Sequence, residues 1–170
     1  MMENSNQSHV ISLYVANKPG VLNRISLVFS RRGFNIDSLV VSESQDPRYS
    51  TMTMTAVGSK TVLIQILKQL NKLVDVIHAK EYTDSNVIKR EMGLMKLTCS
   101  LKQRTEVLQI AQAFRAETMD LTHESLTVEC KGSPEKLDTL EEMLRPYGLI
   151  EVVRTGTVLM ARGAEQTSFN

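Results

Sequence analysis

From His9 to Ala16 (HVISLYVA) apolar and polar positions alternate closely enough for a strand, and the polar turn Asn17-Lys18-Pro19-Gly20 ends it. The period then changes. Val21, Ile25, Val28, Phe29 and Arg32 fall at i, i+4, i+7, i+8 and i+11, so four apolar side chains share one helical face, and Gly33 supplies a stop. A helix is predicted from about Gly20 to Arg32. Phe34 to Glu43 reads as the next strand, and Tyr49 to Val57, alternating threonine with methionine, as a third whose Met52 and Met54 face a core. Gly58-Ser59 turns the chain into a second amphipathic helix marked by Leu63, Ile66, Leu67 and Leu70, and Val74 to Glu81 is a fourth strand.

The order β-α-β-β-α-β, with two crossovers that put both helices on one face of an antiparallel sheet, is the ferredoxin-like architecture. The polar run Tyr82 to Asn86 marks a boundary, and the same order then recurs. Val87 to Ser100, Thr118 to Thr122, Leu126 to Lys131 and Leu149 to Met160 are the predicted strands of the repeat. Its helices are Thr105 to Arg115 and one capped by Ser133 with Pro134 at its first position, carrying Leu137, Leu140 and Leu144 on one face and closed by Pro146 and Gly148. The chain is therefore expected to be α+β, with two tandem ferredoxin-like βαββαβ domains at 9–81 and 87–162 and flexible termini at 1–8 and 163–170. The strands His9 to Ala16 and Phe34 to Glu43 carry few of the charges or prolines that block edge pairing, which points to a dimer through the first domain.

The chain has 170 residues, of which 42% are hydrophobic, enough for two small cores. Lys and Arg number 20 against 19 Asp and Glu, so no global field favours nucleic acid or a membrane surface. The start, MMENSNQS, has no secretory pattern and no later run approaches spanning length, so the expected location is the cytoplasm. Cys99 and Cys130 stand alone in apolar segments, without metal spacing, and read as buried thiols. His9, His78 and His123 have no ligand neighbours at metal spacing.

No nucleophile with a base, carboxylate pair or phosphate loop has usable spacing, since the Pro19-Gly20 turn lacks both GxGxxG and GK[ST]. Arg32-Gly33-Phe34 begins like an RNA-binding signature, but Asn35, Ile36 and Asp37 break it, and 5% aromatic content offers no stacking platform. The turn remains. The first amides of a helix at Gly20, Val21 and Leu22 suit a carboxylate, Gly20 admits close approach, and Asn17 and Asn35 can meet an ammonium or a carboxylate. With Val21, Leu22 and Ile36 as an aliphatic surface, these groups describe a site for a branched α-amino acid, Asn35 serving from a second chain. On pattern alone the plainer reading is favoured, with Asn17 and Gly20 as turn residues and Val21, Leu22 and Ile36 as core.

The run Asn17-Lys18-Pro19-Gly20-Val21-Leu22-Asn23-Arg24-Ile25, followed by Phe29-Ser30-Arg31-Arg32-Gly33-Phe34-Asn35-Ile36-Asp37-Ser38-Leu39, resembles the ACT domain of the small, regulatory subunits of acetolactate synthase (acetohydroxyacid synthase). Lys68 to Val76 and Arg90 to Leu97 resemble that family too, and the likeness runs from about His9 to Arg162. It implies a protein with no catalysis and no cofactor of its own. Thiamine diphosphate, magnesium and FAD are then expected in a large catalytic subunit, the principal partner. The resemblance further implies that this chain activates the large subunit and confers feedback inhibition, usually by valine, in branched-chain amino-acid synthesis. It implies a homodimer through the ACT domains, with effector between the turn of one chain and the strand start of the other, held by Asn17, Gly20, Val21, Leu22, Asn35 and Ile36. An ACT module regulating another enzyme or a transcription system is the alternative.

Overall fold

The computed structural model describes residues 7–83 and 86–167. The chain divides into two compact units, one made of the described residues up to Ile88 together with those from Thr157 onward, the other Lys89–Gly156. Asp84 and Ser85, at the expected boundary, lie outside the described residues, as do 1–6 and 168–170 of the expected flexible termini.

The first unit contains β1 (Gln7–Ala16), α1 (Val21–Ser30), β2 (Asn35–Glu43), β3 (Tyr49–Gly58), α2 (Lys60–Leu70) and β4 (Val76–Glu81). Its antiparallel sheet has the order β2-β3-β1-β4. One face carries Ile11, Leu13, Val15, Met52, Met54 and Ala56, and both helices cover it with Val21, Ile25, Phe29, Leu63, Ile66 and Leu70. The apolar stripes that predicted the helices are the stripes they bury, and each fully buried Leu, Ile or Phe contributes about 1.5–3 kcal/mol. The second unit repeats the plan with most of β5 (Val87–Thr98), then α3 (Leu101–Ala113), β6 (Glu117–Leu121), β7 (Ser125–Gly132), α4 (Pro134–Leu144) and β8 (Leu149–Arg154), in sheet order β6-β7-β5-β8. Its core joins Met95, Leu97, Leu126 and Val128 to Val107, Leu137, Leu140 and Leu144, and includes Cys99 and Cys130 as buried free thiols.

Three sequence expectations change. β1 is not an edge: it pairs with β3 along its whole length and with β4 on its other side, so only β2 and β4 bound the sheet. The last predicted strand breaks at Thr155 to Thr157, where Gly156 takes φ 84°, and resumes as β9 (Val158–Ala161) within the first unit. The described part of the expected mobile tail is tied down there, because Tyr82 Oη donates to Thr167 O (3.3 Å) and Ala161 N to Thr167 Oγ1 (2.8 Å). The other terminus behaves likewise, since Gln7 and Ser8 already belong to β1.

The two edges of the first sheet differ. On β4 the outward backbone groups of Ala79 are both occupied by one side chain. Asn71 donates through Nδ2 to Ala79 O (2.9 Å) and accepts from Ala79 N at Oδ1 (2.9 Å), standing in for a neighbouring strand. On β2 Val41 is 44% exposed, and Leu39 is half-buried against the core.

Candidate functional site

Gly20 caps α1 in the left-handed conformation (φ 81°, ψ −5°) and makes no side-chain hydrogen bond to the first turn, which also holds no acidic residue. Val21 N donates back to Lys18 O (3.4 Å) and Arg24 N to Gly20 O (3.1 Å), so the positive end of the helix dipole and the amides of Leu22 and Asn23 are left for an external acceptor. A Cβ built on Gly20 would have nothing within 4 Å, so the space above this helix end is open. Leu22 beside it is 41% exposed. Val21 differs from expectation: its side chain is 2% exposed and belongs to the core, because it starts the apolar stripe of α1, and its amide is taken by Lys18 O (3.4 Å).

Asn17 is fixed at the end of β1. Its backbone N–H donates to Arg48 O (2.8 Å), and its Nδ2 to Pro47 O (3.0 Å) and, at 3.4 Å, to Glu43 Oε2. With both amide hydrogens directed into the chain, Asn17 presents a carbonyl, an acceptor for an ammonium group. Asn35 sits at the start of β2, exposed, with Nδ2 on Asp37 Oδ1 (2.8 Å), and so also presents its carbonyl outward. Asp37 itself occupies a bulge, since Ile36 pairs with Ala56 and Ser38 with Thr55, leaving Asp37 with no counterpart on β3. Nothing in the sequence pattern marks that residue. Ile36 packs half-buried against the core.

Within one chain these groups do not come together. Ala16 is opposite Tyr49 and Asn35 opposite Val57, the two ends of β3, which places them about 27 Å apart at ~3.4 Å per residue. Around Asn35 lies an open cavity of about 460 Å³ whose lining includes Arg32, Phe34, Asp37, Gly58 and Ser59. Behind it, the buried His9 donates through Nδ1 to Glu81 Oε1 (2.9 Å) and through Nε2 to Gly58 O (3.0 Å). Lys60 Nζ donates to the other Glu81 oxygen (2.7 Å).

Among the described residues no three His, Cys, Asp or Glu side chains are grouped to hold a metal ion, and no helix is long and apolar enough to cross a membrane.

Comparison with known proteins covers both units. A model described as the AHAS small subunit-like ACT domain matches residues 11–78, and one described as the small subunit of acetolactate synthase matches residues 90–163. A probable acetolactate synthase small subunit of Methanothermobacter thermautotrophicus is 42% identical over 96% of this chain and 98% of its own length. The acetolactate synthase small subunit of Bacillus subtilis is 37% identical over 92% of each chain. The crystal structure of the acetolactate synthase small subunit from Thermotoga maritima superposes with a TM-score of 0.82 at 33% identity, covering 94% of this chain and 99% of that one.

Proposed function

Because this chain belongs to the family of acetolactate synthase small, regulatory subunits, we propose that it binds a large catalytic subunit, raises its activity and makes it inhibitable by valine. The condensation chemistry, with its thiamine diphosphate, magnesium and FAD, resides in that partner. The observation that carries the effector reading is the α1 terminus: an uncapped helix end in open space, with the Asn17 carbonyl at the strand end before it. An α-amino acid matches it, its carboxylate meeting the amides and its ammonium a carboxamide oxygen.

The 27 Å between the two asparagines makes a second copy necessary, and the free edge supplies one. Full overlap of two antiparallel copies of β2 is centred on Leu39 and sets Asn35 of each against Glu43 of the other. Glu43 is the residue that Asn17 touches. Pairing through β2 thus carries Asn35 to the α1 terminus of the neighbouring chain, while Asn71 keeps β4 out of such contacts.

Reconstitution with the large subunit tests the reading. Adding this chain is expected to raise acetolactate production and make it valine-sensitive, and Asn35→Ala to keep the activation while shifting the valine response about 10- to 100-fold, the worth of one hydrogen bond to a charged ligand at 1.5–3 kcal/mol. A folded Asn35→Ala protein with unaltered valine sensitivity refutes the site. Acetolactate formation by this chain alone refutes its regulatory role.

A further inference from the structure

From the contact beneath Asn35 we infer that Gly58 and Phe34 form a positioning pair that sets effector affinity without either touching the effector. The inference rests on the reading of Asn35 as an effector ligand. Gly58 ends β3, is buried, and lies under the Phe34 ring. A Cβ there would meet Phe34 Cε1 at 2.6 Å, with Cζ and Cε2 closer still. Ordinary carbon contacts need about 3.5 Å or more, so the ring and the strand end must separate by at least about 1 Å.

The strand end is the side that cannot move. Gly58 O accepts from Nε2 of His9, which is 1% exposed and anchored through its other nitrogen on Glu81. Gly58 pairs with Gln7 across the sheet, and the next residue, Ser59, caps α2 by accepting from Val62 N (3.4 Å). Phe34 is 7% exposed and packed in the core, so its ring has no free volume to rotate into. Its backbone has fewer ties, Phe34 N donating to Phe29 O (3.2 Å) and Gly33 N to Ser30 O (3.0 Å). Gly33 precedes it at φ 67° with open space around it, and Asn35 follows it directly. Displacement of Phe34 therefore strains Asn35, which is bonded to it on one side and paired with Val57 on the other, and a binding group must be held to within about 0.5 Å to keep its geometry. A glycine at 58 is what lets the ring seat and Asn35 stand where it does.

The test is calorimetric titration of the full-length chain with L-valine, alongside thermal unfolding. Gly58→Ala is expected to weaken valine binding at least tenfold. Phe34→Leu removes the ring atoms that the new methyl meets, so the double variant Phe34→Leu/Gly58→Ala is expected to bind within threefold of Phe34→Leu alone. A folded Gly58→Ala protein that binds within twofold of wild type overturns the inference. So does a double variant tenfold or more weaker than Phe34→Leu, and this comparison stands even where Gly58→Ala alone does not fold. Unchanged binding by Asn35→Ala, or no valine binding by the wild type, overturns instead the effector reading beneath it.

Discussion

Gly20→Asp places one carboxylate at the helix end proposed to receive another, and its effect can be worked out from the local geometry. The space is free, so the new side chain meets no steric obstacle. The backbone is at φ 81°, where a residue with a Cβ costs about 1–2 kcal/mol. An acid at a helix N-terminus returns about 0.3–1 kcal/mol, so the fold loses little. Binding loses far more: two unit charges about 4 Å apart at an effective dielectric of 20 repel by about 4 kcal/mol, and salt screening lowers this somewhat. The valine response should shift by about 100- to 1,000-fold at roughly 1.4 kcal/mol per decade. Gly20→Asn is the control, because it imposes similar backbone strain without the charge and should shift the response less than tenfold. Valine titration of the reconstituted holoenzyme, with activation and thermal unfolding measured on both variants, reads the difference. Equal shifts for Asp and Asn, or a Gly20→Asp enzyme within threefold of wild type, would refute the placement of the effector carboxylate.

Three further outcomes follow from contacts already described or lying close to them. Arg154 forks onto Glu91, a side chain 7% exposed (Nε to Oε1 2.8 Å, Nη2 to Oε2 3.0 Å), and also reaches Asp138; Arg154→Ala strands a buried carboxylate and should cost about 3–5 kcal/mol in denaturant unfolding, with Arg154→Met/Glu91→Leu recovering much of it. Asn71→Ala removes both hydrogen bonds to Ala79 and a third to Leu67 O (3.0 Å) and should lower stability by about 1–3 kcal/mol in thermal unfolding. Burial pushes the Glu81 carboxyl up, but hydrogen bonds from Lys60, Thr83 and His9 outweigh it and leave the group below its ordinary 4.5; its stabilisation is thus complete above that value and lost as pH falls through the lower folded one, so acid unfolding profiles should be flatter below about pH 4.5 in Glu81→Gln than in wild type.

Much of the fold was legible because apolar period decides it. Val21, Ile25, Val28 and Phe29, and later Leu137, Leu140 and Leu144, predicted helix faces that are the faces buried. Alternation identifies a strand but not its neighbours, so β1 was read as an edge although the ferredoxin-like order places it inside. The break at Gly156 had a signal, a lone glycine in a strand pattern, that the apolar run on either side concealed. The first turn of α3 was missed because Leu101 is 66% exposed and lies off the apolar stripe, while the Ser100 cap before it was the available cue. Asp37 and Asn71 left no trace in the pattern and Gly58 was marked only as a turn: a bulge, a side chain acting as a strand and a glycine beneath a ring all depend on distances that only the folded chain defines. At Val21 one residue satisfied two readings, and packing assigned the side chain to the core.

The geometry of the first sheet also bears on why sensing would require assembly. The two proposed half-sites, at opposite ends of β3, are too far apart for one amino acid to bridge, whereas an antiparallel β2 pair would generate two complete sites, one at each end of the contact. Effector bound there touches both chains, so it strengthens the pairing by whatever free energy the pairing lends to effector binding. Such a site is sensitive to register. Side chains alternate with period two along a strand, and a slip of one residue would turn the Asn35 carboxamide away from the neighbouring turn. In the proposed pair the bulge at Asp37 would oppose that slip, because it breaks the regular spacing of β2 at one place. Asp37 also holds Asn35 by its Nδ2, so in such a pair one residue would bear on both the strand's register and the carboxamide it offers.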